Sequence, residues 1–287
     1  MKKLKIFILL GIILLTSGCF KRDNLDGINI VTTTYPIEYV TNYLYKDHAN
    51  VASIYPDAVD TTKYTLSKKQ IEDYSKKKLF IYNGLDKDKD TAITFLDKNK
   101  NLLIIDSTYG MQYNYSPIEV WLNPSNLLMI AQNIKSGLQE YMTNSYLEKE
   151  LDTKYEELKV LLSELDAEIK LTAENASRKT LIVNDDALKY LEKYGFEIIS
   201  LDNRNETVSD RTITEVKNMI KDGDVKHIIM LEHTENNDII KEIIEDTEVE
   251  TYKFRKLDSI TDAERDEGKD YINIMTENID LLKNELY

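Results

Sequence analysis

The chain has 287 residues, 31% of them charged, and a formal net charge of −14. That length suits two modest domains with cores of their own, and so acidic a balance excludes the basic patch with which nucleic-acid-binding proteins meet phosphates. Cys19 is the single cysteine, which excludes an internal disulfide.

Lys2, Lys3 and Lys5 precede an apolar run over 6–15, followed by Thr16-Ser17-Gly18-Cys19. A basic start, about ten apolar residues and a small-residue cleavage site predict a secretory signal over 1–18. The run is too short to span a bilayer as a mature helix, which takes about 20 residues. A lone cysteine behind Ser-Gly is similar to a bacterial lipobox, although Thr16 replaces the usual Leu. Lipidation of Cys19 is therefore expected, with the mature chain anchored on the extracytoplasmic face of the cell membrane through a polar tether over 19–27.

Beyond the tether, short β-rich runs alternate with helical patterns. Strands are expected over 28–33, 51–55, 79–82 and 102–106, and helices over 36–45, 67–77, 90–98 and 124–141. Pro36 opens the first helix and Ser67 is placed to cap the second. An aromatic stretch over 109–123 reads as irregular; its tyrosines, Tyr113 and Tyr115 among them, either pack the loop or line a pocket.

From 145 to 175 one apolar stripe, Leu147, Leu151, Tyr155, Leu158, Leu162, Leu165 and Ile169, runs through an otherwise charged segment without Gly or Pro. This is a helix of about 45 Å. It is either a coiled-coil segment or a link between two globular halves, and the second fits better because the first plan then repeats. Strands are expected over 180–183, 197–201, 227–231 and 249–254, and helices over 187–194, 212–221, 238–245 and 270–286. Strands alternating with helices mean parallel sheets. The expected architecture is α/β: an N-terminal lobe over 28–143, a linking helix over 144–178 and a C-terminal lobe over 179–287, each lobe holding a four-stranded parallel sheet.

Ligands of open parallel sheets sit beyond the carboxyl ends of the strands. That rule selects 32–35, 57–62, Asn83-Gly84, Asp106, 184–186, 202–206, Glu232-His233 and Asp258, a set rich in carboxylates. An enzyme is not expected. The chain has no Gly-x-Ser-x-Gly, no His-Glu-x-x-His and no phosphate loop, and its three histidines lack partner spacing for general-base work. His48 and His227 read as structural, and Lys76-Lys77-Lys78 as a solvated helix end.

Five segments in order carry a resemblance: Ile30-Val31-Thr32-Thr33-Thr34-Tyr35-Pro36; Leu79-Phe80-Ile81-Tyr82-Asn83-Gly84; Val120-Trp121-Leu122-Asn123-Pro124; Asp186-Ala187-Leu188-Lys189-Tyr190-Leu191 with Tyr194-Gly195; and Asp258-Ser259 with the helical run to Leu286. Over essentially the whole mature chain they resemble the metal-binding lipoproteins of zinc and manganese ABC importers, also described as adhesin lipoproteins. The resemblance implies two βα lobes bridged by a rigid helix, a divalent metal ion as transported ligand, a membrane permease with its ATPase as partners, and a monomer.

Its usual ligands are three histidines, one of them replaceable by Glu, and an Asp. Carried over, they fall on Thr62, Glu119, Asp185 and Asp258, so every expected imidazole is missing. Three carboxylates and a hydroxyl suit a hard ion such as Mn²⁺, Mg²⁺ or Ca²⁺ better than Zn²⁺. Asp60, Glu232 and His233 are candidate substitute ligands. Acids brought together without a cation would repel. Either a cation therefore sits among them, or the cleft is remodelled and they do not converge, as in an adhesin-like or repurposed relative.

Overall fold

The computed structural model describes residues 24–287; the expected signal segment and Cys19 lie outside the described residues. Ile28–Thr32 (β1), Ala49–Ser53 (β2), Leu79–Tyr82 (β3) and Leu103–Asp106 (β4) form one parallel sheet in the order β2-β1-β3-β4. Thr180–Val183 (β5), Glu197–Ser200 (β6), His227–Leu231 (β7) and Glu250–Phe254 (β8) repeat it as β6-β5-β7-β8. The central strand β3 is buried along its whole length, as a parallel strand covered on both faces must be. Each sheet reverses its winding between its first and third strands. The switch points therefore lie at the ends of β1 and β3 in one lobe and of β5 and β7 in the other.

In the first lobe, Tyr35–Tyr45 (α1), Lys68–Ser75 (α2), Asp88–Lys98 (α3), the single turn Glu119–Leu122 (α4) and Pro124–Tyr141 (α5) follow in order. Ser67 caps α2 in a reciprocal box with Gln70, and Asn123 caps α5 ahead of Pro124. Ser145–Asn175 (α6) is the long helix, 31 residues without a break. Its stripe is buried in one continuous core that takes in α5, α1 and residues of both lobes. This chain's own helices therefore cover the stripe, and no second strand of a coiled coil is needed. Smaller cores back the outer face of each sheet.

The second lobe holds a 3₁₀ segment, Asp186–Tyr194, then Asp210–Lys221 (α7), Asp238–Thr247 (α8), Asp262–Asp266 (α9) and Tyr271–Leu286 (α10). Two differences from the sequence reading matter. β2 starts two residues before the expected 51, because β1 pairs with it from Ile28 against Ala49; Ile54 and Tyr55 are core residues beyond the ladder. The stretch before Pro124 is not wholly irregular, since α4 turns Trp121 inward. Its indole Nε1 donates to the Lys256 carbonyl at 2.9 Å, and the Tyr271 hydroxyl donates to the Trp121 carbonyl at 2.5 Å. These bonds tie the lobes together beside the linking helix.

Candidate metal cleft

Both switch points are lined by short polar side chains that close on one another. The Asn83 amide donates to Thr33 Oγ1 at 3.3 Å, and the Gly84 amide reaches Asp106 Oδ1 at 3.2 Å. A side chain at Gly84 would put its Cβ 2.1 Å from Asp106 Oδ2, so this approach requires glycine. Across the molecule, Asn184 Oδ1 accepts from the Leu231 amide at 2.7 Å. Between the two ends, the Tyr35 amide donates to the Asp258 carbonyl at 3.0 Å and the Ala58 amide to the Ile260 carbonyl at 2.8 Å. The segment after β8 thus seals the crevice against the first lobe.

Asp258 is 1% exposed and its two oxygens are used unequally. Oδ2 accepts from the Thr61 hydroxyl at 2.6 Å and the Thr61 amide at 3.3 Å, and lies 2.9 Å from Lys256 Nζ. Oδ1 is buried without a hydrogen-bond partner, and so is Thr34 Oγ1, one residue from the Tyr35–Asp258 crossing. Lys256 is itself buried, with Nζ also 3.7 Å from Asp60 Oδ1. Leu257 between them takes a left-handed φ of 61°, which folds the chain at this point.

Asp185 caps the 3₁₀ segment by accepting from the Ala187 amide at 2.9 Å. Its other oxygen lies 2.7 Å from Arg204 Nη2 and accepts weakly from the Thr234 hydroxyl at 3.4 Å. Arg204 is shared with Asp202; although burial works the other way, that guanidinium and two backbone amides hold the Asp202 carboxyl below its ordinary range. Glu119, also buried, accepts from the amides of Asn114, Tyr115 and Ser116 at 2.6, 3.0 and 3.4 Å. It acts as the anchor of the aromatic loop. Tyr115 is exposed and its hydroxyl reaches Glu192 of the second lobe at 3.4 Å, with Lys189 above its ring.

The remaining candidates are placed as follows. Thr62 is exposed and its hydroxyl donates to Asp60 Oδ1 at 2.6 Å; the hydroxyl that meets Asp258 is that of Thr61, one residue earlier. Asp60 is held below its ordinary pKa by the Thr62 bonds and by Lys256 and Lys63, against the opposing effect of burial. Glu232 is buried between Arg255 Nε at 2.8 Å and Lys253 Nζ at 3.2 Å; these outweigh its burial and keep it ionised to lower pH than usual. His233 is exposed, at a φ of 61°. Among the described residues, no three His, Cys, Asp or Glu side chains gather closely enough to hold a metal ion. The acids at the candidate positions meet the chain's own amides, hydroxyls and cations.

The strand-end ranges 57–62 and 202–206 take in Thr61 and Arg204 without singling them out, and sequence reasoning passes over Lys256. Lys256 stands two residues from Asp258 and Arg204 two from Asp202, a spacing that could have flagged the pairs.

Residues 30–285 match the family model described as zinc-uptake complex component A, periplasmic. The high-affinity zinc uptake system protein ZnuA of Bacillus subtilis (strain 168) is 24% identical, over 91% of this chain and 88% of its own length. A metal ABC transporter substrate-binding lipoprotein of Lactococcus lactis subsp. lactis (strain IL1403) is also 24% identical, over 96% and 94%. The zinc-binding lipoprotein AdcA of Streptococcus pneumoniae serotype 4 (strain ATCC BAA-334 / TIGR4) is 22% identical over 99% of this chain, which spans 61% of AdcA. Among solved structures, the metal-dependent lipoprotein YcdH from Bacillus subtilis superposes with a TM-score of 0.73 at 23% identity, covering 90% of this chain and 99% of that one. The Zn(II)-bound ZnuA-like domain of Streptococcus pneumoniae AdcA gives 0.73 at 21% identity, over 91% and 99%.

Proposed function

Since the chain belongs to the zinc-uptake complex component A family, a family of substrate-binding proteins and not of enzymes, we propose that it is the extracytoplasmic capture component of an ABC importer for a divalent metal ion. In this reading it is anchored through a lipid on Cys19 and hands its ion to a membrane permease driven by an ATPase. One observation carries the metal reading: Asp258 Oδ1 is a buried carboxylate oxygen with no donor, while Oδ2 is saturated. A buried acceptor left unmet costs about 1–3 kcal/mol, more when charged, and a cation removes that cost.

The unpartnered buried atoms here, Asp258 Oδ1 and Thr34 Oγ1, are oxygens, and oxygen donors suit a hard ion such as Mn²⁺ better than Zn²⁺. The ion competes with Lys256 for Asp258 and with Arg204 for Asp185. Affinity is accordingly weaker than a site built of free ligands would give.

A second reading, a relative whose cleft no longer takes metal and works as an adhesin, is favoured by the complete internal satisfaction of Glu119 and Asp185. Thermal melting of chelator-stripped protein against Mn²⁺, Zn²⁺, Mg²⁺ and Ca²⁺ separates the two. Capture requires a rise in melting temperature, worth about 2.7 kcal/mol at one hundred times Kd, that is lost in D258N. No rise with any of the four ions rejects capture and leaves the second reading.

A further inference from the structure

The segment that carries Thr61 belongs to the first lobe by sequence, yet many of its bonds cross to the second. The Ala58 amide donates to Ile260, the Ser259 hydroxyl donates to the Val59 carbonyl at 2.9 Å, and Thr61 meets Asp258. From its own lobe comes Lys87, the residue immediately before α3. Its ammonium donates to the carbonyls of Thr61 at 2.5 Å, Tyr64 at 3.2 Å and Thr62 at 3.4 Å, and lies 5.4 Å from the Tyr55 ring centroid.

An ammonium has three donors and no acceptor, and here three carbonyls of one turn converge on it. The turn is also closed by the Lys63 and Tyr64 amides on the Asp60 carbonyl, at 3.1 and 3.2 Å, and by the Thr62 amide and hydroxyl on Asp60 Oδ1, at 3.1 and 2.6 Å. Beside it lies a pocket of about 360 Å³ lined by Thr62, Tyr64 and Lys87 itself, where the Tyr64 ring packs edge-on against Tyr55 and its hydroxyl accepts from Gln70, so that Lys87 is the cation that reaches the turn's carbonyls.

We propose that Lys87 is the positioning residue of the cleft: it holds the 60–64 turn so that the Thr61 hydroxyl saturates Asp258 Oδ2 and Oδ1 is left facing the guest. The consequence for ion capture rests on the function proposed above; the positioning itself does not.

The test is amide exchange of the chelator-stripped full chain, resolved by residue, in wild type, K87M and K87R. One hydrogen bond to a charged donor at a partly solvated site corresponds to a five- to tenfold change in local opening, from about 1 to 1.4 kcal/mol. Thr61 and Tyr64 are expected to exchange five- to tenfold faster in K87M and at the wild-type rate in K87R. Ala58, bonded across the lobes to Ile260, is expected not to change. Unchanged Thr61 exchange in K87M overturns the proposal. So does a joint rise at Ala58 and Thr61, which would mean that the lobes had loosened as a whole. Mn²⁺ titration of the same three proteins keeps the two ideas apart. Weaker binding in K87M, restored in K87R, supports the positioning role in capture, whereas an absence of ion response in wild type rejects capture while the exchange result still judges Lys87.

Discussion

Arg265 on α9 pairs with two carboxylates of the first lobe, and replacing it by Met gives a pH-dependent loss that can be worked out in advance. Its guanidinium spans Glu38 of α1, at 3.0 and 3.2 Å, and Asp57, at 2.6 and 2.8 Å. Glu38 is buried, and burial pushes its carboxyl above the ordinary range despite Arg265. Removing one partner of a buried pair costs about 3–5 kcal/mol. The Arg265 side chain is 43% exposed, so solvent screens part of its charge and ~2 kcal/mol is the expected cost at pH 7.5. For a chain of this size that corresponds to a fall of about 4–8 °C in melting temperature.

The sign of the pH effect follows from the direction of the Glu38 shift. A carboxyl whose folded pKa is raised binds its proton more tightly in the folded state, so its contribution to stability falls as pH rises from the unfolded value through the folded one. R265M removes the cation that opposed the rise and widens that window. The deficit against wild type should therefore shrink on going from pH 7.5 to pH 5, where Glu38 can take up a proton. Melting curves of both proteins at the two pH values provide the assay. A deficit under 1 °C, or one of equal size at both pH values, refutes the reasoning.

Two further predictions concern the first lobe. Burial drives the Asp88 carboxyl from 3.8 up to about 6, although it accepts from the Tyr55 hydroxyl at 2.5 Å. The stabilising protonated state is lost as pH rises through that window, so D88N should gain roughly 1–3 kcal/mol over wild type at pH 7.5 and little near pH 4, read by urea unfolding; a D88N chain that is less stable at pH 7.5 contradicts this. Gly137 lies in α5 against the sheet, where an added Cβ would come within 2.7 Å of Ile105 Cγ2. G137A should lower the urea midpoint, at an unchanged slope, by an amount equivalent to about 1–2 kcal/mol of stability despite the better helix propensity of Ala, and a stabilised G137A would show that Ile105 yields freely.

The strands at Leu79–Tyr82, Thr180–Val183 and His227–Leu231 and the helices at Pro124–Tyr141 and Ser145–Asn175 fall where the sequence reading expects them. Each is a buried run or a clear helical stripe with a recognisable start or stop. β2 drifts because its burial alternates weakly, so the pattern alone does not reveal that its register begins opposite Ile28. The strand-end positions follow from the parallel order of the strands, which is why Asn83, Asp185 and Asp258 could be placed beyond strand ends in advance. Their partners could not. Lys256 meets Asp258 across a left-handed Leu257, a conformation that no propensity forecasts for leucine. Of two adjacent threonines, the turn at Asp60 decides that Thr61 points inward and Thr62 outward. Neither signal extends beyond its own few residues of chain.

The central claim is that cations of the chain itself compete with the ion for the acids of the cleft. Titration of Mn²⁺ into chelator-stripped wild type and the K256M/R204M double variant tests it most directly. Lifting two nearby positive charges at partly desolvated carboxylates should tighten Mn²⁺ binding by at least about tenfold. Binding by the double variant that is no tighter than that of wild type, with the fold intact by circular dichroism, would contradict the claim.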